Sequence, residues 1–330
     1  MRIGFSTRAD HQIGMGHVFR CLRLREAFAK AWPGASFVFE LLPGQEGFDA
    51  VKKRHPGEAR VAGAGPWDLL VVDRLAVPAE EIRALKRGAR VLLSLDDAGA
   101  GRWEADIAAN ALYAPTAPRP AGSRARSLDG LEYLCLDGAF AARPYQVREP
   151  ARRLLVSQGG ADTYGLVPRL LDALRPVLSR HPELSADVLV GPAFRHDSEL
   201  AAAIMRSPRE VRVQRGVEDM AALLSRMDLA VSGAGLTACE LAAAGVPSVL
   251  VTGEAKELET AALLAARGAA RDAGFFDEGA GARVEAAVDA LAGSAAERAR
   301  LSAAAQKAID GRGLERLLDA LRAALTGETS

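Results

Sequence analysis

Residues 14–17 read Gly-Met-Gly-His, and they are the segment of this chain best suited to chemistry. They lie between an apolar run typical of a strand, residues 2–7, and a helix predicted over residues 18–30. Glycines permit a tight turn, and the start of a helix leaves N–H groups unpaired and partially positive. An anion can bind there, and His17 beside it could move a proton. The alternative is an ordinary turn with an incidental histidine.

A second glycine-rich segment occupies residues 232–240, Ser-Gly-Ala-Gly-Leu-Thr-Ala-Cys-Glu. It follows a predicted strand over 229–231 and precedes Gly-Val-Pro and another strand. The turn offers backbone N–H groups to a phosphate, and Glu240 on the following helix could accept hydrogen bonds from ribose hydroxyls. A tight turn with a solvated glutamate is the alternative, but the combination favours a nucleotide.

A third segment, residues 159–162, reads Gly-Gly-Ala-Asp after a predicted strand over 153–158. In one interpretation it completes a diphosphate cradle together with the second segment. In the other it is an ordinary loop in which Asp162 caps the next helix.

Other nucleotide and metal signatures do not fit the chain. A dinucleotide fingerprint needs a third glycine where Phe19 stands, and no phosphate loop ending in Gly-Lys-Ser/Thr occurs. Asp96 and Asp97 lack partners at ligand spacing, and adjacent carboxylates at a strand end usually serve turns. The sequence therefore predicts no metal and no cofactor.

Short apolar strands alternate with helices through both halves, which predicts parallel sheets covered on both faces. The expected class is α/β, with two doubly wound parallel-sheet domains facing a cleft. We place the domains at 1–147 and 148–330, and we assign a final amphipathic helix over 315–326 to the second. Because ligands bind beyond the carboxyl ends of such strands, the glycine-rich turns are expected at the cleft. Residues 114–129, rich in Pro, Ala, Gly and Arg, predict a mobile surface loop, or else a lid facing an acceptor.

Composition narrows the class of partner. Lys and Arg total 42 and Asp and Glu total 42, so the 330 residues carry no net charge and no electrostatic footprint for nucleic acid. Cys21, Cys135 and Cys239 show neither zinc spacing nor a disulfide framework, which predicts a cytoplasmic protein. The most apolar stretch, 229–253, is interrupted by charge, proline and glycine, so no membrane span is expected.

Several motifs together resemble the UDP-sugar hydrolase of pseudaminic-acid biosynthesis. Residues 8–22, Arg-Ala-Asp-His-Gln-Ile-Gly-Met-Gly-His-Val-Phe-Arg-Cys-Leu, resemble the opening of that family. The resemblance continues in order and covers roughly residues 1 to 270. It runs through 68–73, 95–97, Asp106 with Asn110, 133–140, 159–162 and 232–247.

The resemblance implies the GT-B architecture shared with the lipid-linked N-acetylglucosaminyltransferase of peptidoglycan synthesis. It implies that the second domain holds UDP and that the first supplies catalysis. The reaction is metal-independent hydrolysis at the anomeric carbon, which releases UDP from a diacetamido-trideoxy sugar. His17 matches the general base and Glu240 the ribose-binding glutamate. The predicted binding residues are Asp10, Gly14, Gly16, Gly160, Asp162, Gly233, Gly235, Leu236, Thr237 and Glu240.

The chain departs from the family where the sugar would lie. Arg74 and Leu75 replace a His-Tyr pair, Ala161 replaces a serine, and residues 253–259 lack the expected Asn-Gln pair. These differences leave the sugar open. A glycosyltransferase using a UDP-sugar donor and a non-catalytic nucleotide-sugar binder remain the alternative functions.

Overall fold

The computed structural model describes residues 1–8, 15–41, 46–61, 65–112, 116–140 and 145–327. The chain divides into two compact units. One unit comprises Met1–Asp137 together with Gly311–Ser330, and the other comprises Gly138–Asp310.

The first unit is a parallel sheet with helices. Its strands are β1 (Arg2–Thr7), β2 (Ser36–Glu40), β3 (Ala59–Arg60), β4 (Trp67–Asp73), β5 (Ala89–Leu95), β6 (Ile107–Asn110) and β7 (Arg126–Asp129). Its first three helices are α1 (Gly16–Ala31), α2 (Glu46–Arg54) and α3 (Ala79–Lys86), with 3₁₀ helices at Ala100–Glu104 and Leu131–Tyr133. Among the described residues the seven strands lie in the order β3-β2-β1-β4-β5-β6-β7, and every pairing is parallel.

Continuous apolar runs explain the central strands. Leu69, Leu70, Val71 and Val72 of β4 are all buried, as expected for a parallel strand covered on both faces. Next to them, Gly4 of β1 lets the sheet pack closely, because a Cβ there would lie 2.9 Å from the Trp67 ring. The central strands are therefore held firmly where the first candidate site begins.

The second unit repeats this architecture. Its strands are β8 (Arg153–Ser157), β9 (Ser185–Leu189), β10 (Val211–Gln214), β11 (Leu229–Ser232), β12 (Ser248–Thr252) and β13 (Arg271–Phe275). Its helices are α4 (Leu166–Ala173), α5 (Arg175–Arg180), α6 (Asp197–Arg206), α7 (Met220–Leu224), α8 (Leu236–Ala244), α9 (Leu258–Ala266), α10 (Ala280–Ala292) and α11 (Ala295–Ala308), with a 3₁₀ helix at Ala255–Glu257. The six strands of the described chain lie in the order β10-β9-β8-β11-β12-β13.

The hydrophobic core of the second unit lies between its sheet and its helices. Val284, Val288 and Leu291 recur along one face of α10 at helical spacing and are fully buried. In helix α8 the residues from Ala238 to Ala244 are all buried, and Glu240 is among them. No helix in the described ranges is both long enough and apolar enough to cross a membrane.

The final helix, α12 (Gly313–Thr326), lies with the first unit and not with the second as we predicted. Its apolar residues Leu317 and Leu321 are fully buried in that unit. Arg316 donates a hydrogen bond to the Glu132 carbonyl at 2.8 Å. Gly313 permits close backbone contact, because a Cβ there would lie 2.2 Å from the Leu134 carbonyl oxygen. The amphipathic stripe was predicted, but a stripe does not identify the surface that buries it.

Residues 116–129, the described part of the predicted mobile loop 114–129, are more structured than expected. Their last four residues form β7, the edge strand beside β6. Before it, Trp103 donates a hydrogen bond through Nε1 to the Ala117 carbonyl at 3.0 Å, and Ser123 Oγ donates to the Trp103 carbonyl at 2.8 Å. The strand was not predicted, because the segment before it is rich in proline and glycine and because its pairing with β6 leaves no mark on the local pattern.

Candidate functional site

The first candidate site lies where the strand order of the first sheet reverses. Strands β1 and β4 are neighbours, and Thr7 and Asp73 at their carboxyl ends pair in register. Ligands of open parallel sheets bind at this kind of switch point. Helix α1 begins at Gly16, so His17 is its second residue, and the first-turn N–H groups have no acceptor within the helix.

His17 contacts Asp73 directly. The distance from His17 Nδ1 to Asp73 Oδ1 is 2.6 Å, and the Asp73 side chain is fully buried. An ionised carboxylate only accepts hydrogen bonds, so Nδ1 must carry the proton. In a neutral imidazole, Nε2 then holds the lone pair and is the nitrogen able to accept a proton. The side chain of His17 is 14% exposed, so Asp73 orients a histidine that solvent can still reach.

Arg20, one helical turn after His17, completes the cluster. Its Nε and Nη2 donate to the two oxygens of Asp73 at 2.8 and 2.5 Å, and its Nη1 donates to Asp96. The three side chains of Arg20, Asp73 and Asp96 are nearly inaccessible. Asp96 also accepts the backbone N–H groups of Ala111 and Leu112 at 2.6 and 2.9 Å. Buried charges are tolerated when they are paired and hydrogen-bonded in this way.

The electrostatics of the cluster keep Asp73 ionised. Burial alone would raise the pKa of Asp73, but the charges and hydrogen bonds of Arg20 and His17 outweigh it and hold that pKa well below its usual range. Burial raises the pKa of the neighbouring Cys21 thiol, and it raises the pKa of Cys135 to about 12. These thiols are therefore unsuited to act as nucleophiles, since thiolate is the reactive form.

Asp97 serves a turn, as we predicted for the adjacent carboxylates. Its Oδ1 accepts the backbone N–H groups of Val77 and Gly99 at 3.0 and 2.8 Å. Within the described ranges, no three His, Cys, Asp or Glu side chains form a group that could hold a metal ion.

The second candidate site lies at the corresponding switch point of the second sheet. Strands β8 and β11 are neighbours, Ser157 and Ser232 pair in register, and Gly233 N–H donates to the Ser157 carbonyl at 3.2 Å. The turn between β11 and α8 is crowded, because a Cβ on Gly233 would lie 3.0 Å from Gln158 Oε1. The glycines thus allow polar groups to approach the start of α8.

Glu257 occupies this turn. Its Oε2 accepts the N–H of Ala234 at 3.2 Å. A Cβ on Gly235 would lie only 2.9 Å from its Oε1, and one on Gly233 would lie 3.3 Å from its Oε2. Both carboxylate oxygens therefore lie against the glycines that sequence reasoning assigned to phosphate.

The segment after β8 meets the same edge of the sheet. Gly160 approaches Gly191 so closely that a Cβ on Gly191 would lie 2.3 Å from the Gly160 carbonyl oxygen. The two carboxylate oxygens of Asp162 accept the N–H groups of Leu166 and Val167 at 2.7 and 3.0 Å. Asp162 therefore caps α4, which was the structural alternative for this residue.

Glu240 is 5% exposed, so the solvated-glutamate alternative is wrong. Leu236 and Thr237, in the first turn of α8, are half-buried. Ser232 Oγ and Thr252 Oγ1, at the ends of adjacent strands, are buried and have no hydrogen-bond partner in the described part of the chain. A buried hydroxyl without a hydrogen-bond partner costs folding free energy, and such groups are typical of a site that a ligand completes.

The structure thus brings those predicted residues that it describes to one sheet edge in each unit. Asp10 and Gly14 lie outside the described residues, and Gly16 stands exposed at the start of α1. Sequence reasoning missed Asp73 and Arg20 as partners of His17, and it missed Glu257. Asp73 carried a signal, since it ends a strand that pairs with β1, whereas Glu257 carried none.

The chain is similar in sequence to a polysaccharide biosynthesis protein and similar in fold to GT-B proteins. No family model matches it. It is 26% identical to the spore coat polysaccharide biosynthesis protein SpsG of Bacillus subtilis over 83% of this chain and 84% of that protein. It is also 32% identical to the UDP-N-acetylglucosamine--N-acetylmuramyl-(pentapeptide) pyrophosphoryl-undecaprenol N-acetylglucosamine transferase of Sorangium cellulosum, over 51% of this chain and 42% of that protein.

The fold is similar to that of MurG from Acinetobacter baumannii, with a TM-score of 0.63 and 17% identity over 98% of this chain and 99% of MurG. The predicted fold class is confirmed: both units are parallel-sheet α/β domains, and the structural neighbours are GT-B glycosyltransferases.

Proposed function

We propose that the protein is a nucleotide-sugar hydrolase that releases UDP from a UDP-linked sugar by attack of water at the anomeric carbon. The observation that carries this proposal is the contact between His17 and the buried, ionised Asp73 at the switch point of the first sheet. A binding protein has no need of a histidine oriented by a buried carboxylate. General-base catalysis has that need, because the lone pair must face the proton that it removes.

The chemistry follows from the oriented imidazole. His17 Nε2 takes a proton from water as the water oxygen forms a bond to the anomeric carbon. The bond from that carbon to the β-phosphate oxygen breaks, and the electron pair leaves with UDP. Asp73 stabilises the imidazolium that forms, and Arg20 holds Asp73 in place.

We assign UDP to the second unit. The glycine-rich turn before α8 presents backbone N–H groups to the diphosphate, and Glu240 is assigned to the ribose. Charge developing on the leaving phosphate is then stabilised by fixed backbone dipoles, so we propose that no metal ion is needed. The sugar is a diacetamido-trideoxy sugar in this proposal, and the reaction belongs to surface-glycan synthesis.

The second candidate is a glycosyltransferase that uses a UDP-sugar donor. It is favoured by the similarity to the Sorangium transferase and by the GT-B fold. In that case His17 would take its proton from an acceptor hydroxyl, and the same geometry at Asp73 would serve.

Purified protein incubated with a panel of UDP-sugars, with and without candidate acceptors, separates these functions. A hydrolase releases free sugar and UDP in equal amounts whether or not acceptor is present. A transferase releases UDP only when acceptor is added, and a non-catalytic binder releases none. UDP release that depends strictly on acceptor would overturn the hydrolase proposal.

A further inference from the structure

We propose that Glu257 is a resident competitor of the nucleotide: its carboxylate occupies the phosphate position at the start of α8, and a nucleoside diphosphate binds by displacing it. This inference rests on the assignment of UDP to the second unit. It adds a regulator of affinity to that site, built into the chain itself.

The Glu257 carboxylate lies against the backbone of the turn that precedes α8. Glu257 Oε2 accepts the Ala234 N–H at 3.2 Å, and Oε1 lies 2.9 Å from where a Cβ of Gly235 would be. A helix N-terminus and the glycine turn before it favour a negative group in this place. A side-chain carboxylate therefore satisfies the N–H group that would otherwise bind a phosphate oxygen.

Two anions cannot both occupy the position beside the Ala234 N–H. A phosphate placed on the Ala234 N–H would lie within a few ångströms of the Glu257 carboxylate, and like charges at such distances repel. Binding of the ligand therefore requires Glu257 to leave. The apparent affinity is the intrinsic affinity reduced by the fraction of molecules in which Glu257 has left.

The turn also contains a hydroxyl that could donate a hydrogen bond to a further acceptor. Ser232 Oγ, immediately before the turn, is buried and has no hydrogen-bond partner within the described chain. Glu257 thus satisfies one group of the turn and leaves another unsatisfied, as expected of a stand-in for a larger anion.

Displacement of the Glu257 carboxylate requires the short segment that carries it to move. Glu257 ends the short 3₁₀ helix Ala255–Glu257 between β12 and α9. Ala255 and Leu258 on either side of it are exposed. The turn that carries the carboxylate can therefore shift without uncovering the buried strand β12.

Calorimetry with UDP tests the inference on the full chain. Glu257→Ala empties the position, and we expect UDP to bind about 10- to 150-fold more tightly than to the parent, the range that one charge-assisted hydrogen bond represents. Glu257→Gln should give a smaller gain, because the amide oxygen can still accept the Ala234 N–H. Glu259→Gln, which removes an exposed charge two residues away, is the matched control and should leave affinity unchanged.

The backbone amide signal of Ala234 gives a second readout by NMR. It should shift when UDP is added to the parent, and in Glu257→Ala it should already be displaced before any ligand is added. A purely structural cap would lower thermal stability when removed and leave UDP affinity as it was.

The outcomes separate the two proposals. Equal or weaker binding of UDP by Glu257→Ala overturns the inference and leaves the assignment of UDP intact. Tighter binding of inorganic pyrophosphate by Glu257→Ala, with no binding of UDP, supports the competing carboxylate and overturns the nucleotide assignment. If neither probe binds any variant, both proposals fail.

Discussion

The two switch points of this chain have the same strand topology but present different chemical groups. In the first unit, the start of α1 carries His17 and Arg20, which form a hydrogen-bonded cluster with the buried carboxylates of Asp73 and Asp96. In the second unit, the turn between β11 and α8 consists of glycines and backbone N–H groups, and the acidic group that touches it, Glu257, comes from another segment.

In the proposed function, the two switch points have different tasks in one reaction. Side chains with fixed protons are needed where bonds change, because a general base must present one defined lone pair. Backbone N–H groups are sufficient where a charged ligand is held, because they carry no titratable proton. We therefore expect substitutions in the first cluster to alter turnover, and substitutions near the second turn to alter affinity.

The strongest test of this division is His17→Asn. Loss of a general base typically lowers kcat by ~10²–10⁴-fold, and KM should change far less if the second unit holds the diphosphate, as we propose. The measurement is the steady-state release of UDP from a UDP-sugar that the parent protein turns over. His55→Asn, which removes a histidine paired with Glu26 in the same unit, is the control and should behave as the parent. A kcat close to that of the parent would show that His17 is not the base.

Asp73→Asn should weaken the fold as well as the reaction. It leaves the buried Arg20 with one carboxylate fewer, and breaking a buried pair costs about 3–5 kcal/mol of unfolding free energy. Denaturant unfolding measures the loss, with Asp49→Asn, an exposed aspartate on α2, as the control. A loss no larger than that of the control would show that the cluster contributes little to stability.

The same carboxylate makes stability depend on pH. The pKa of Asp73 is lower in the folded chain than in the unfolded chain, where an aspartate titrates near pH 4. Its contribution is therefore complete above about pH 4 and is lost as the pH falls toward the folded pKa. Between about pH 5 and pH 3, Asp73→Asn should lose less stability than the parent. Identical pH slopes would contradict this origin.

Glu240→Ala tests the second site with a smaller effect. If Glu240 binds ribose hydroxyls, its removal should weaken UDP binding by roughly 1–3 kcal/mol, the cost of leaving buried polar groups unpaired. The division between the units predicts that kcat at saturating substrate stays near the parental value. Glu278→Ala, an exposed glutamate in the same unit, is the matched control. Unchanged affinity in a folded Glu240→Ala protein would remove Glu240 from the site.

Chelation should have the smallest effect. Backbone N–H groups at the glycine-rich turns are proposed to hold the diphosphate, so turnover in EDTA should equal turnover without it. Loss of activity that Mg²⁺ or Mn²⁺ restores would show that a metal ion performs this task instead.

Sequence alone predicted the parts of the molecule that depend on local pattern. Strand β1 has the predicted bounds, because an apolar run is a property of neighbouring residues. The glycine-rich turn before α8 was predicted because a tight strand-to-helix turn has a strong local signature. His17 was identified for the same reason.

Features that depend on distant contacts were not predicted. Asp73 is 56 residues from His17 in the chain, and the pairing becomes visible only when β1 and β4 are known to be neighbours. Strands β3, β7 and β13 are short or lie at sheet edges, where apolar pattern is weak.

Helix α12 has a consequence for how the chain is made. The first unit is encoded by both ends of the chain, since α12 packs with residues before Asp137. Synthesis proceeds from the N-terminus at ~5–20 residues per second. The ribosome must therefore complete the whole second unit before the segment that buries Leu317 and Leu321 emerges. During that interval, the surface that awaits these leucines is exposed to water and to chaperones. A messenger truncated just before Gly311 would yield a finished second unit attached to an unfinished first one.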